Sequence, residues 1–105
     1  MVAIKGVMRE ELGNSIQMQK DYERELAKLP RGSLIKKKIK GHKYYYLLVR
    51  EAGKVKMIYK GKVSDDVIQK YKEAKEYRAK YRKLLSQVKK QIRFLNGALR
   101  GKEAV

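Results

Sequence analysis

The sequence lacks the residue types on which several protein classes depend. Its 105 residues include no cysteine, which excludes a disulfide framework and a thiolate metal site and fits a reducing compartment. No apolar run approaches the roughly 20 residues that span a bilayer. The N-terminal residues also lack the apolar core of a secretory signal. We therefore expect a cytoplasmic protein with no membrane association.

Catalytic side chains are also scarce. The only histidine, His42, follows Gly41 in a predicted turn, with no carboxylate at a useful local spacing. No serine lies in a nucleophile-elbow context, and no glycine-rich loop opens a helix as a P-loop does. Asp65 and Asp66 are explained more simply as a helix start than as metal ligands. These patterns predict a protein that is not an enzyme and uses neither a metal nor a cofactor.

Positive charge is abundant, and it is concentrated in one segment. The net charge is +17, and residues 31–62 carry eleven Lys or Arg against one acid, whereas residues 1–30 are balanced. Charge that serves only solubility could be spread over the whole chain. A local positive field points instead to phosphate backbones or an acidic protein surface as partners.

The apolar pattern predicts one α+β domain over residues 1–105, in the order helix, sheet, helix. An amphipathic helix is expected over residues 7–29, weakened around Gly13 and ended by Pro30. A three-stranded antiparallel meander is expected over residues 33–60, with strands at 33–39, 43–50 and 54–59. A long coiled-coil-like helix should follow over residues 65–96, capped by Ser64 and stopped at Gly97.

The register of the sheet depends on its two turns. A two-residue turn at Ala52-Gly53 would force Ala52 to a positive φ, at a cost of ~1 kcal/mol, so we predict three-residue turns at residues 39–41 and 51–53. One face then carries the apolar side chains of Ile35, Tyr45, Leu47, Val49, Val55, Met57 and Tyr59. The other face carries the candidate contact residues Lys36, Lys38, Tyr44, Tyr46, Arg50, Lys54, Lys56 and Lys60.

The basic sheet face has two interpretations. An antiparallel ribbon fits the DNA major groove, where lysines reach phosphates and tyrosines donate to phosphates or stack on unpaired bases. Alternatively, the lysines only prevent edge aggregation. On the long helix, Lys75, Arg82 and Lys89 share one stripe that either prolongs a phosphate track or is an ordinary charged flank.

The stretch from Leu29 to Lys62 resembles a family of small proteins of bacteria, archaea and mobile elements. These share an LPxGS…KKxIxGxxYYYL…REGGKVK…YxGK pattern, matched here by Leu29 to Gly41, Tyr44 to Leu47, Arg50 to Lys56 and Tyr59 to Lys62. The order of meander and helix also resembles the arm-type DNA-binding domain of tyrosine recombinases, whose sheet enters the major groove. That likeness implies a DNA-binding module without a catalytic domain.

We therefore predict a non-catalytic nucleic-acid-binding protein of a phage or other mobile element, with DNA favoured over RNA. The alternative is an interaction protein that blocks a nucleic-acid-handling enzyme, such as a host nuclease or a CRISPR effector, as anti-CRISPR proteins do. On the last helix, the apolar heptad positions from Tyr81 to Leu99 form a seam that needs cover. The first helix could provide only part of that cover, because its own apolar seam is interrupted around Gly13 to Gln19. For that reason we also predict a homodimer through the C-terminal helices.

Overall fold

A computed structural model describes residues 4–101 and contains two helices and one sheet. The elements run in the order α1 (Ile4–Lys28), β1 (Ser33–Ile39), β2 (His42–Glu51), β3 (Lys54–Gly61) and α2 (Asp65–Arg100). The three strands form an antiparallel sheet in the order β1-β2-β3. The predicted α+β class and the meander are confirmed. No helix within residues 4–101 is both long enough and apolar enough to cross a membrane.

The chain packs as two compact units. A helical unit combines α1 with the part of α2 from Ala79 onward, and a sheet unit contains residues 29–78, which include the first half of α2. The helical unit buries Val88 and Leu95, and the sheet unit buries Leu47 and Ala74. Each unit therefore has a small hydrophobic core of its own.

The helical unit is an antiparallel helix pair. The rings of Tyr22 and Tyr81 lie 6.1 Å apart, and Gln19 borders the same cavity as Ser86 and Ile92. The least exposed positions of α1 follow a heptad rhythm through Met8, Leu12, Ser15, Gln19, Tyr22 and Leu26. The predicted coiled-coil pattern of α2 is confirmed from Tyr71 onward. Each of its heptad positions is buried or half-buried, namely Tyr71, Ala74, Arg78, Tyr81, Leu85, Val88, Ile92, Leu95 and Leu99.

The predicted interruption of the α1 seam is wrong. The helix runs unbroken through Gly13, Asn14 and Ser15, and Ser15 is the most buried side chain described, at 1% exposure. A serine is small enough to let two helices approach closely, so this polar residue belongs to the seam. The argument for a homodimer assumed a gap in the cover at this point. Because α1 provides that cover within one chain, the homodimer loses its argument and remains an untested prediction.

The predicted helix ends are partly correct. Pro30 does end α1, whose last residue is Lys28. Ser64 caps α2, since its Oγ accepts a 3.4 Å hydrogen bond from the Val67 amide. Gly97 does not stop α2, which continues to Arg100. Half-buried Leu99 extends the seam past Gly97, and this packing outweighs the ~1 kcal/mol that glycine costs a helix.

Arg78 is the one charged residue among the heptad positions of α2, and the structure gives it a role. Its Nη2 donates a 2.7 Å hydrogen bond to the carbonyl oxygen of Pro30. The bond is partly buried, and its acceptor lies just past the end of α1, where a carbonyl has no helical partner. A charged donor on α2 thus fixes the start of the segment that leads into β1.

Candidate functional site

The two hairpin turns have two residues each, not three. Ile39 pairs with His42 and Glu51 pairs with Lys54. The central residues of both turns have positive φ, at 49° for Lys40 and 50° for Ala52, each followed by a glycine. This is the type I′ geometry, whose twist matches that of the flanking strands. The predicted three-residue turns and the register built on them are therefore wrong.

Packing explains why the tighter turns form. The observed register places Leu34, Leu47 and Ile58 side by side in one row across all three strands. Leu47, at the centre of the row, is 8% exposed and is the most buried residue of the sheet. Burying one large apolar side chain contributes about 1.5–3 kcal/mol. This row offsets the ~1 kcal/mol that a non-glycine residue costs at positive φ.

The observed register moves the side chains of β1 and β3 to the other face of the sheet, relative to the side chains of β2. The tyrosine face, as we call it, comprises Ser33, Ile35, Lys37, Ile39, His42, Tyr44, Tyr46, Leu48, Arg50, Val55, Met57 and Tyr59. The lysine face comprises Leu34, Lys36, Lys38, Lys43, Tyr45, Leu47, Val49, Glu51, Lys54, Lys56 and Ile58. Because Leu47 lies on the lysine face, that is the better-covered side of the sheet.

The structure therefore divides the predicted contact residues between the two faces. Tyr44, Tyr46 and Arg50 lie on the tyrosine face. The predicted lysines of the lysine face are Lys36, Lys38, Lys54 and Lys56, all exposed. Lys60 is the additional residue of a β-bulge, where Tyr46 pairs with Tyr59 but Tyr45 pairs with Gly61. No single face of the sheet therefore carries both the predicted tyrosines and the predicted lysines.

Sequence reasoning missed Tyr59, Lys37 and His42 as members of the candidate site. Tyr59 was assigned to the apolar face because of the wrong register, and His42 was placed in a loop. The Lys40-Gly41 and Ala52-Gly53 pairs were the available signal, since a residue followed by glycine is compatible with a type I′ turn.

Aromatic rings form a continuous group on the tyrosine face. The centroids of Tyr46 and Tyr59 are 5.3 Å apart in an edge-to-face arrangement. Tyr44 lies 6.4 Å from Tyr59 and 6.4 Å from the His42 ring. These spacings lie within the range in which aromatic pairs attract each other. The group is nevertheless open to solvent, because Tyr59 remains 59% exposed.

Cations accompany the rings, and acids do not. The Nζ of Lys37 stands 4.8 Å from the centroid of the Tyr46 ring, a cation–π distance. The only acid of the three strands, Glu51, lies on the lysine face, where its Oε2 is 3.1 Å from the Nζ of Lys56. The tyrosine face therefore combines exposed aromatic surface with positive charge only, from Lys37 and Arg50.

The predicted helix stripe is solvent-exposed. Lys75, Arg82 and Lys89 are all exposed on α2, seven residues apart. Lys89 also borders a cavity of about 330 Å³ in the helical unit, together with Gln19, Ser86, Ile92 and Arg93. The stripe thus presents three cations to solvent on one side of a single helix.

Comparison with protein families finds one match. Residues 9–70, more than half of the chain, match the family described as a domain of unknown function, DUF6788. The chain belongs to this family. The match includes most of α1, the whole sheet and the start of α2, so the DUF6788 region contains both sheet faces. Neither a curated protein nor a solved structure matches the chain.

Proposed function

We propose that this DUF6788 protein is a non-catalytic nucleic-acid-binding protein whose sheet supplies the contacts. The observation that carries the proposal is the tyrosine face, where Lys37 stands over the Tyr46 ring, Tyr59 is exposed, and Arg50 shares the face with no acid of the sheet. A surface with only positive charge attracts phosphates, and exposed aromatic rings add stacking energy that a purely electrostatic contact lacks.

The lysines of β1 support the proposal further. Lys36, Lys37 and Lys38 are consecutive and exposed, and they alternate between the two faces of an edge strand. Lysines in this arrangement reach a phosphate backbone that crosses the strand from either side. The remaining cations of residues 31–62 extend the same positive field.

The test measures binding of short oligonucleotides as a function of salt concentration. Affinity should fall as salt rises, with a log–log slope of about −4 to −5 for a duplex. Replacing Lys36, Lys37 and Lys38 by Gln should weaken binding and reduce the magnitude of the slope by about two to three. No binding at low salt, or a slope near zero, would overturn the proposal.

A matched control separates local contacts from total charge. Lys20, Lys72 and Lys83 are exposed helical lysines, and replacing all three by Gln removes the same charge. If the sheet supplies the contacts, this control keeps most of the affinity and most of the slope. Equal losses in the two triple variants would show that only net charge matters.

A second candidate function is supported by the apolar side chains of the tyrosine face. Val55 and Met57 lie on it and are 56% and 48% exposed, which suits the centre of a protein interface. A protein that blocks a nuclease by binding an acidic surface of that nuclease would use the same cations. Such a protein should bind the purified nuclease with unchanged affinity after all nucleic acid has been digested, and should not retain oligonucleotides by itself.

A further inference from the structure

Tyr59 is held in an unusual position for an exposed tyrosine. It pairs with Tyr46 in the row that also contains Ile35, and Tyr46 meets it edge to face. A Cβ built on Gly61 would lie 3.5–3.6 Å from three atoms of the Tyr59 side chain. The ring therefore lies over the bare backbone of Gly61, where the β-bulge has displaced the strand. Local packing orients this ring although solvent reaches most of it.

The other tyrosines have different positions in the same group. Tyr46 is half-buried and already has the Lys37 ammonium 4.8 Å from its ring centroid. Tyr44 is half-buried between His42 and Tyr59. Tyr59 is thus the most exposed of the three tyrosine rings, Tyr44 extends the surface beside it, and Tyr46 supports Tyr59 as a positioning residue.

The chemistry of this surface selects between forms of nucleic acid. The face of a base is available for stacking on a side chain only when the base is unpaired, because a duplex hides its base faces inside the stack. A duplex would meet Tyr59 only through its backbone and groove edges, which make no use of an oriented ring. A single strand can place a base on the ring and a phosphate near Lys37.

From these observations we propose that the tyrosine face binds an unpaired nucleic-acid strand, with a base stacked on Tyr59, a second base on Tyr44 and a phosphate at Lys37. This inference rests on the proposed nucleic-acid-binding function and names its substrate class. Stacking requires only an aromatic base face, so it applies to unpaired DNA and unpaired RNA alike. The face should show little dependence on base sequence.

The test compares a single strand with its duplex, in DNA and in RNA, for the wild-type chain and two variants of Tyr59. Fluorescence anisotropy at constant salt should show tighter binding of the single strand than of the duplex. Tyr59→Leu should weaken single-strand binding by about 5- to 100-fold and leave duplex binding within about 2-fold. Tyr59→Phe keeps the ring, so it should stay close to wild type. Comparing the DNA and RNA strands shows which polymer is preferred.

Controls make the outcomes distinct. Tyr77→Leu replaces another exposed tyrosine, on α2, and should leave single-strand binding unchanged. Circular dichroism checks that each variant is folded.

Duplex binding equal to single-strand binding, together with no effect of Tyr59→Leu, would overturn this inference and leave the proposed function intact. Binding of neither form would overturn the proposed function itself. Loss of binding in Tyr59→Phe as large as in Tyr59→Leu would assign the contact to the hydroxyl and overturn stacking.

Discussion

The two compact units differ in how their apolar surfaces are covered. The helical unit buries a serine at 1% exposure, whereas the sheet unit leaves Tyr59 and Val55 more than half exposed. In the helical unit the seam is shared between two helices of one chain, and a small residue is needed where they approach. In the sheet unit one face is left open. The difference shows that α1 and α2 cover each other's seam within one chain, although Phe94 outside the seam is 69% exposed. The tyrosine face of the sheet keeps its aromatic and apolar side chains accessible.

The sharpest test of this contrast places a charge in each unit. Val88, which is 4% exposed in the helical seam, should tolerate aspartate poorly. We expect Val88→Asp to destabilise the fold by about 3–5 kcal/mol, because the carboxylate loses its water without gaining a partner. Val55→Asp on the tyrosine face should cost less than about 1 kcal/mol. Denaturant unfolding followed by circular dichroism measures both, and equal losses would mean that the tyrosine face is covered.

A substitution at Gly32, the residue before β1, tests how tightly the sheet unit is packed there. A Cβ on Gly32 would lie 2.7 Å from Cγ1 of Val49 and 2.8 Å from the carbonyl oxygen of Leu48, at a φ of +91°. We expect Gly32→Ala to cost about 2–4 kcal/mol, from backbone strain and overlap together. Gly41 has a φ of +79° but open space around it. Gly41→Ala should therefore cost only about 1 kcal/mol, and similar values for the two variants would rule out the close approach at Gly32.

The buried serine can be tested by removing its hydroxyl. The Oγ of Ser15 is buried and has no hydrogen-bond partner among residues 4–101. Ser15→Ala should stabilise the protein by about 1 kcal/mol, because the desolvated hydroxyl disappears and alanine favours a helix. Ser86→Ala on exposed α2 reports the helix preference alone and should gain less than half of that. A clear loss of stability in Ser15→Ala would mean that the hydroxyl has a stabilising partner.

The smallest effect is expected at the second turn. Ala52 adopts a φ of 50°, which glycine adopts without a steric penalty. Ala52→Gly should stabilise the sheet by about 0.5 kcal/mol, the relieved strain being partly offset by the greater freedom of the unfolded chain. The same replacement at Ala74, buried in α2, should instead destabilise by at least about 1 kcal/mol. Thermal unfolding of both variants checks these opposite signs, and a loss at Ala52 would contradict the type I′ turn.

Much of the fold was predictable because its signals are local or periodic. Ser64 and Pro30 mark helix boundaries through their own backbone chemistry, and the heptad of α2 needs only spacing to be recognised. The candidate site was only partly predictable. Tyr44, Tyr46 and Arg50 belong to one strand, and alternation alone places them together on one face.

Alternation along one strand could not predict which residues of different strands share a face. Whether Tyr59 joins Tyr46 or Tyr45 depends on a shift of one residue, which moves every side chain of the strand to the other face. Sequence reasoning weighed the strain at Ala52 and the separation of apolar from basic side chains, and both favoured the wrong register. The contribution of the row through Leu47 was invisible, because the row exists only once the three strands have paired.

Local sequence was enough to predict the order of the elements, the position of the charge and the seam of α2, since each depends on neighbours along the chain. The faces of the sheet and the place of Ser15 in the helix pair depend on contacts between distant segments. The physical reason is the same in both cases. A local penalty of ~1 kcal/mol, at a strained turn residue or a poor helix former, is outweighed by burial that only distant parts of the chain can provide.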